Sequence, residues 1–211
     1  MADRSSSQRV PPTTVRRLSA YYRALGALGD QGVSHVSSKG LSDLAGSTAP
    51  QVRRDLAYFG SFGTRGVGYL VASLRARLAG ILGIDRAWSL GLVGVGHLGQ
   101  ALLAYRGFQG PEYEIAAVFD VDSAKIGTVI NDIRVSDFAD FKVEARSLAL
   151  AIVMVAVPAD AAQTVVDQII AADIRAILNF APVQLRVPAC VRLSNVDVSM
   201  EVESLTHSLT G

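Results

Sequence analysis

Apolar positions along the chain change their prevailing spacing near residue 88. Before that point they recur every three or four residues, as on helices packed by one face. Val15, Leu18, Tyr22, Leu25 and Leu28 predict a helix over 14–28, capped by Thr13 or Thr14. "SSKGLSDLAG" (37–46) predicts a second, with Ser37 or Ser38 as cap and Gly46 as its stop. "STAPQVRRDLAYFG" (47–60) predicts a third, capped by Ser47 or Thr48, with Pro50 in its first turn. Val52, Leu56 and Phe59 form its inward stripe, so Arg53 and Arg54 project away. "SFGTRGVGYLV" then alternates turn glycines with Val67, Tyr69 and Val71, which is hairpin chemistry. Leu70, Leu74, Leu78 and Ile81 make a further helix leading towards Asp85. Three short helices followed by a hairpin is the winged-helix pattern, a helix-turn-helix variant.

From Trp88 onward, strands alternate with helices. "WSLGLVG", "YEIAAVFD", the β-branched run in "SLALAIVMVAVP", "RAILNFAP" and "CVRLSNV" read as strands. "HLGQALLAYRG" and residues 159–173 read as helices, the latter with Ala162, Val165, Val166 and Ile169 inward. Residues 198–209, "VSMEVESLTHSL", form a terminal amphipathic helix. The expected fold class is α/β: an N-terminal winged helix, then a doubly wound, Rossmann-type domain. The boundaries follow: a tail over 1–13, the winged helix over 14–84, the Rossmann domain over 85–197 and a final helix over 198–211.

Charge sharpens this division. The net charge is +1, but residues 1–86 hold 12 Lys/Arg against 5 Asp/Glu, and residues 87–211 hold 8 against 14. A basic module joined to an acidic one implies different partners, and the basic one has the electrostatic footprint expected for nucleic acid. No apolar run approaches the ~18 residues that span a bilayer, and the start lacks a signal-peptide core. The single Cys190 excludes a disulfide framework and a cysteine metal cluster. The expected address is the cytoplasm.

Gly94, Gly96 and Gly99 form G-x-G-x-x-G between a predicted strand and helix. The first glycine permits the tight turn, the second lets backbone approach a pyrophosphate, and the third packs helix on strand. Asp120 ends the next strand 21 residues after Gly99, where a carboxylate accepts from ribose hydroxyls and repels a 2′-phosphate. NAD(H) is therefore expected over NADP(H). Val157-Pro158 and "NFAPV" (179–183) close later strands; Asn179 would bond a ribose or carboxamide and Pro182 would shape the nicotinamide end. A general acid/base is missing. The histidines are His35, His97 and His207, the lysines Lys39, Lys125 and Lys142, and none follows a strand where hydride transfer needs a partner. The pattern suits a sensor of the dinucleotide. An NAD-dependent oxidoreductase with a helical extension and a CoA-binding module are the alternatives.

Six motifs in order carry a family resemblance: "QVRRDLAYFGSFGTRGVGY" (51–69), "GVGHLGQALLAY" (94–105), "FDVDSAKIGT" (119–128), "VPADAAQ" (157–163), "ILNFAPVQL" (177–185) and "NVDVSMEVESL" (195–205). The sequence closely resembles the Rex family of bacterial redox-sensing repressors, over nearly the whole chain. The resemblance implies a homodimer that binds an inverted-repeat operator of respiratory or fermentative redox genes and is released by NADH, with no enzymatic activity and no metal. It implies that helix 198–209 swaps onto the partner. It implies cofactor contacts from Val95, His97, Leu98, Lys125 and Phe180 beside the residues above. It places Ser47, Thr48, Gln51, Arg53, Arg54 and Tyr58 against the major groove, and Gly63 and Arg65 on a wing in the minor groove. It also implies a polar linkage between domains made by Arg17, Tyr105 (ending the Gly-loop helix) and Asp197.

Overall fold

A computed structural model of the chain describes residues 10–64, 66–108 and 110–210. The chain divides into two compact units, Met1–Asp85 and Arg86–Gly211.

The first unit runs α1 (Pro12–Asp30), β1 (His35–Val36), α2 (Ser38–Leu44), α3 (Ala49–Ala57), β2 (Tyr69–Leu70) and α4 (Val71–Leu82). Its core is built from Leu18, Tyr21, Leu25, Leu41, Val52, Leu56, Leu74 and Leu78. Helix α1 starts two residues earlier than the sequence pattern predicts, with Pro11 at the N-cap and no side-chain cap bond. Neither threonine caps it; Thr14 lies inside the helix and is buried. The buried stripe runs Thr14, Leu18, Tyr21, Leu25, so Tyr21 takes the place predicted for Tyr22, and Val15 turns outward. Ser37 caps α2, accepting from Gly40 N at 3.0 Å, and Thr48 caps α3, accepting from Gln51 N at 3.3 Å.

The hairpin differs from expectation. Thr64 and Gly68 close a tight reversal, each amide donating to the other's carbonyl at 3.0 Å, but β2 pairs antiparallel with β1. The strand partner thus comes from before α2, 33 residues away, beyond the reach of a local turn pattern: Val36 faces Tyr69. Gly68 makes this possible, at φ +95°, where a Cβ would lie 2.5 Å from Val36 O. Leu70, predicted inward, is exposed and Val71 is buried. Strand alternation through Tyr69 and Leu70 sets the phase before α4 begins.

The second unit has a seven-stranded sheet in the order β5-β6-β4-β3-β7-β8-β9. Its elements are β3 (Trp88–Val93), α5 (His97–Leu103), β4 (Tyr113–Asp120), β5 (Val129–Ile130), β6 (Ile133–Asp137), α6 (Phe141–Ser147), β7 (Ile152–Val155), α7 (Ala159–Ala171), β8 (Ala176–Asn179), β9 (Arg192–Asn195) and α8 (Val198–Thr210). Only β5–β6 is antiparallel. One sheet face packs Phe119, Val153, Val155 and Ile177 against Phe141 and Ala145 of α6 and Val166 and Ile169 of α7. The other packs Leu90, Leu92, Val118 and Met154 with Leu103 of α5. Strand order reverses beside β3, so the loop after β3 opens at a topological switch point, where doubly wound sheets hold ligands.

The β5–β6 hairpin and α6 have no counterpart in the sequence prediction. Asn131 and Asp132 both take positive φ, 49° and 65°, and make the two-residue turn. Helix α5 ends at Leu103, so Tyr105 lies beyond it, exposed, and does not end that helix. Helix α8 is exposed along its whole length; its apolar residues range from 54% exposed at Val202 to 85% at Leu209. Among the described residues, no helix is long and apolar enough to cross a membrane.

Candidate nucleotide and nucleic-acid sites

The three glycines at the junction of β3 and α5 are glycines for different reasons. Gly94 has φ +95°, and a Cβ there would lie 2.5 Å from Ala156 O and 2.9 Å from Val157 Cγ1. The chain ends of β3 and β7 therefore touch at Gly94. A Cβ on Gly99 would strike Gly94 O, so the helix can sit on the strand only with hydrogen there. A Cβ on Gly96 would meet nothing within 4 Å. Its φ of −74° and ψ of −170° suit any residue. Neither packing nor backbone conformation demands glycine at Gly96, so the open space beside it is the feature to explain. His97 and Leu98 flank that space and are exposed.

Asp120 pins this loop. Its Oδ2 accepts from Val95 N at 2.8 Å and Lys125 Nζ at 3.2 Å, and its Oδ1 from Val121 N at 2.9 Å and Asp122 N at 3.0 Å. Burial alone would raise its pKa, but the Val95 and Asp122 amides and Lys125 outweigh it and hold the carboxyl below its ordinary range. A carboxylate offers about four acceptor sites, and the chain fills them. The sequence pattern assigns these sites to ribose hydroxyls; in the structure they orient the Gly loop, and Lys125, itself shared with Asp122 at 3.5 Å, is the exchangeable partner. No group of His, Cys, Asp or Glu among the described residues is placed to hold a metal.

Asn179 differs more. It is 1% exposed; its Nδ2 donates to Ala181 O and Asn195 Oδ1, both at 3.0 Å, and its Oδ1 accepts from Ala181 N at 3.0 Å. It is a clamp that shapes the 180–182 turn and joins it to β9. Pro182 and Pro158 are exposed at the same carboxyl edge of the sheet, with Val157 and Phe180 half-buried.

In the first unit, α3 presents Thr48, Arg53, Arg54 and Tyr58 to solvent, with Gln51 half-buried. The adjacent arginines diverge as a 100° helical step requires. Arg53 Nη1 donates to Ser38 Oγ at 2.8 Å, on the side of α2, and borders a cleft of about 400 Å³ with Ser37, Gly63 and Gly66. Arg54 Nη1 donates to Gln51 Oε1 at 3.4 Å. Arg65 lies outside the described residues. Arg77 of α4 props the loop that carries Gly63: its guanidinium stacks 4.3 Å over Phe62 and donates to Ser61 O at 3.5 Å.

The three residues expected to link the units have partners close by. Arg17 forks onto Asp55, Nε to Oδ2 and Nη2 to Oδ1 both at 2.7 Å. Tyr105 packs edge-on against Phe108 at 5.3 Å. Asp197 accepts from Ser199 N and Oγ at 2.9 and 2.6 Å at the start of α8. Asp55, Ser38 and Arg77 were not foreseen as site residues. Asp55 carried a signal: an acidic residue between Val52 and Leu56 on the inward face of a helix.

Two family models match this chain, "Putative DNA-binding protein N-terminus" over residues 9–57 and "CoA binding domain" over residues 85–183. The redox-sensing transcriptional repressor Rex of Desulfitobacterium hafniense is 42% identical over 201 residues, covering 95% of this chain and 96% of that protein. This chain belongs to the Rex family. Rex of Carboxydothermus hydrogenoformans is 43% identical over 201 residues, 95% and 97% of the two chains. Among solved structures, RSP, a Rex-family repressor, in complex with β-NAD⁺ and operator DNA has a TM-score of 0.90 at 35% identity, covering 96% and 93%. RSP with β-NADH has a TM-score of 0.85 at 34% identity, covering 95% and 94%. The resemblance drawn from the six motifs and the two-part fold class stand on these matches. The whole-chain relatives and the solved structures are repressors, and they do not favour the oxidoreductase or the CoA module, the match to the CoA binding domain model covering residues 85–183 alone.

Proposed function

We propose that this Rex-family protein is a cytoplasmic DNA-binding repressor that senses the NADH/NAD⁺ ratio. The observation that carries the nucleotide half is Gly96, a glycine that nothing among the described residues requires, opening on space at the switch point. A pyrophosphate would lie there, against the backbone from Val95 to Leu98. A ribose hydroxyl would replace Lys125 on Asp120, which supports NAD(H), because a 2′-phosphate would meet the Asp120 and Asp122 carboxylates. Val157, Pro158, Phe180 and Pro182 would border the nicotinamide, with Asn179 behind them. The bound dinucleotide would be a signal here; the residues near its far end include no acid/base of the kind hydride transfer needs.

The DNA half is supported by the net charge of residues 1–86 and by exposed Arg53, Arg54 and Tyr58 on α3. Helix α3 would enter the major groove, with Ser47, Thr48 and Gln51 at its leading end and the 61–68 wing against the minor groove, where Arg65 would make its contact. We take 14–84 as the DNA-binding domain, 85–197 as the nucleotide domain and 198–211 as the dimerisation segment behind a tail at 1–13. The uncovered stripe on α8 supports a homodimer in which a second copy buries it. Arg17, Tyr105 and Asp197 would then exchange partners between the two dimer states. NADH can shift the operator equilibrium only by its differential affinity for those states, and moving it from mostly bound to mostly free takes about 5.5 kcal/mol.

Operator binding by the purified protein in fixed salt, followed by anisotropy of an inverted-repeat duplex selected by the protein itself, tests this reading. NADH should release the duplex, while NADPH and CoA at equal concentration should not. Retention of the duplex under saturating NADH would overturn it.

A further inference from the structure

Helix α3 carries one carboxylate that none of the DNA contacts proposed above employs. Asp55 is fully buried, between Val52 and Leu56 on the face packed into the core. Besides the fork from Arg17, it accepts from the Tyr21 hydroxyl at 2.9 Å and from Gln51 Nε2 at 2.8 Å, with the Thr14 hydroxyl at 3.5 Å. The Tyr21 hydroxyl in turn lies 3.2 Å from Ser47 Oγ. The network therefore begins in α1 and ends on two polar residues at the leading end of α3, Ser47 and Gln51.

Its chemistry fixes a direction. An ionised carboxylate only accepts, so the Gln51 amide must turn its NH₂ to Asp55. Its Oε1 then faces outward and accepts from Arg54. A flipped amide would set Oε1 against the carboxylate and a donor against the guanidinium. A glutamine amide that reads a base edge does so with both its atoms, so its orientation decides what it can read. Stability alone gives little reason for the charge: buried ion pairs are often replaced by apolar groups without loss.

We infer that Asp55 is a positioning residue for DNA recognition, setting the Gln51 amide and, through it, the Arg54 guanidinium before DNA arrives. The inference rests on the DNA-binding reading above. Preorganisation of this kind removes an ordering cost from the binding step and penalises any base that the fixed amide cannot satisfy.

The test is a double-mutant cycle on the full chain, Asp55→Asn, Gln51→Ala and both, read by anisotropy on the operator and on a scrambled duplex in one buffer. The wild type must first prefer the operator; if it does not, the DNA-binding reading itself fails, whatever Asp55 does. Given that preference, Asp55→Asn should lower operator affinity ~10-fold and change scrambled-duplex affinity less than ~2-fold, with no further loss in the Gln51→Ala background. Equal losses on both duplexes, or losses that add in the double variant, would make Asp55 a structural residue only and overturn the proposal. Should Asp55→Asn not fold, Tyr21→Phe keeps the ring and removes one donor from the same network. It should reduce operator preference in the same direction, and an unchanged preference would overturn the proposal equally.

Discussion

Replacing Gly96 by alanine separates the phosphate loop's folding from its proposed binding. At Gly96 the backbone is already extended, φ −74° and ψ −170°, and the added methyl meets nothing within 4 Å. Alanine there removes unfolded-state freedom, so stability should hold or rise by up to about 1 kcal/mol. The binding cost runs the other way. A methyl at the loop's open side would hold a pyrophosphate away from the backbone, and each charge-assisted hydrogen bond lost is worth about 1.5–3 kcal/mol. One such bond corresponds to a roughly 10- to 150-fold loss of NADH affinity. Gly94→Ala is the contrast, since it forces a methyl to 2.5 Å from Ala156 O at φ +95° and should destabilise the second unit itself. Thermal melts with and without NADH, and NADH titration by fluorescence, measure both quantities. A Gly96→Ala protein that binds NADH as tightly as the wild type would refute the placement of the pyrophosphate.

Other outcomes follow from the same structure. Asp120 has a pKa held below the ordinary carboxylate value, so its stabilisation is present above about pH 4 and fades as pH falls through its lower folded value. The melting difference between wild type and Asp120→Asn should thus be level from about pH 7 to 5 and shrink in stronger acid; a difference that grew in acid would contradict the network. Ile169→Ala in α7, at a fully buried position, should cost about 2–5 kcal/mol in urea unfolding of the second unit. Arg77→Ala removes the stack on Phe62 at 4.3 Å and should weaken operator binding without altering its salt dependence. A drop of about one in the salt slope would instead mark Arg77 as a phosphate contact. Leu205→Asp on exposed α8 should shift the chain towards monomer in sedimentation, and an unchanged dimer would remove α8 from the interface.

Much of this was legible because single residues carry it. The 3.6-residue repeat reports Leu18, Leu25, Val52 and Leu56, and the doubly wound unit is announced by a glycine pattern at one strand end and Asp120 at the next. What escaped depends on pairing across the chain. Local turn chemistry at 61–71 suggests a self-contained hairpin, but Tyr69 pairs with Val36, a partner that only the folded helices bring near. The β5–β6 hairpin did carry a local signal, Asn131-Asp132 between Val-Ile and Ile-Arg-Val, but its two-residue strand is too short for alternation to register. In the sites, residue type pointed to Asp120 and Asn179, whereas the hydrogen bonds by which both also shape loops exist only in three dimensions. Asp55 is the converse case, a charge in an apolar stripe whose partners in α1 no spacing reveals.

A nucleotide at the Gly94–Gly99 loop and DNA at α3 would be coupled within one chain. Coupling of two binding events is reciprocal, so the most direct measurement is the NADH dissociation constant with and without saturating operator duplex at one salt concentration. Operator should weaken NADH binding by the same factor by which NADH weakens operator binding. An NADH affinity indifferent to the operator would contradict the coupling.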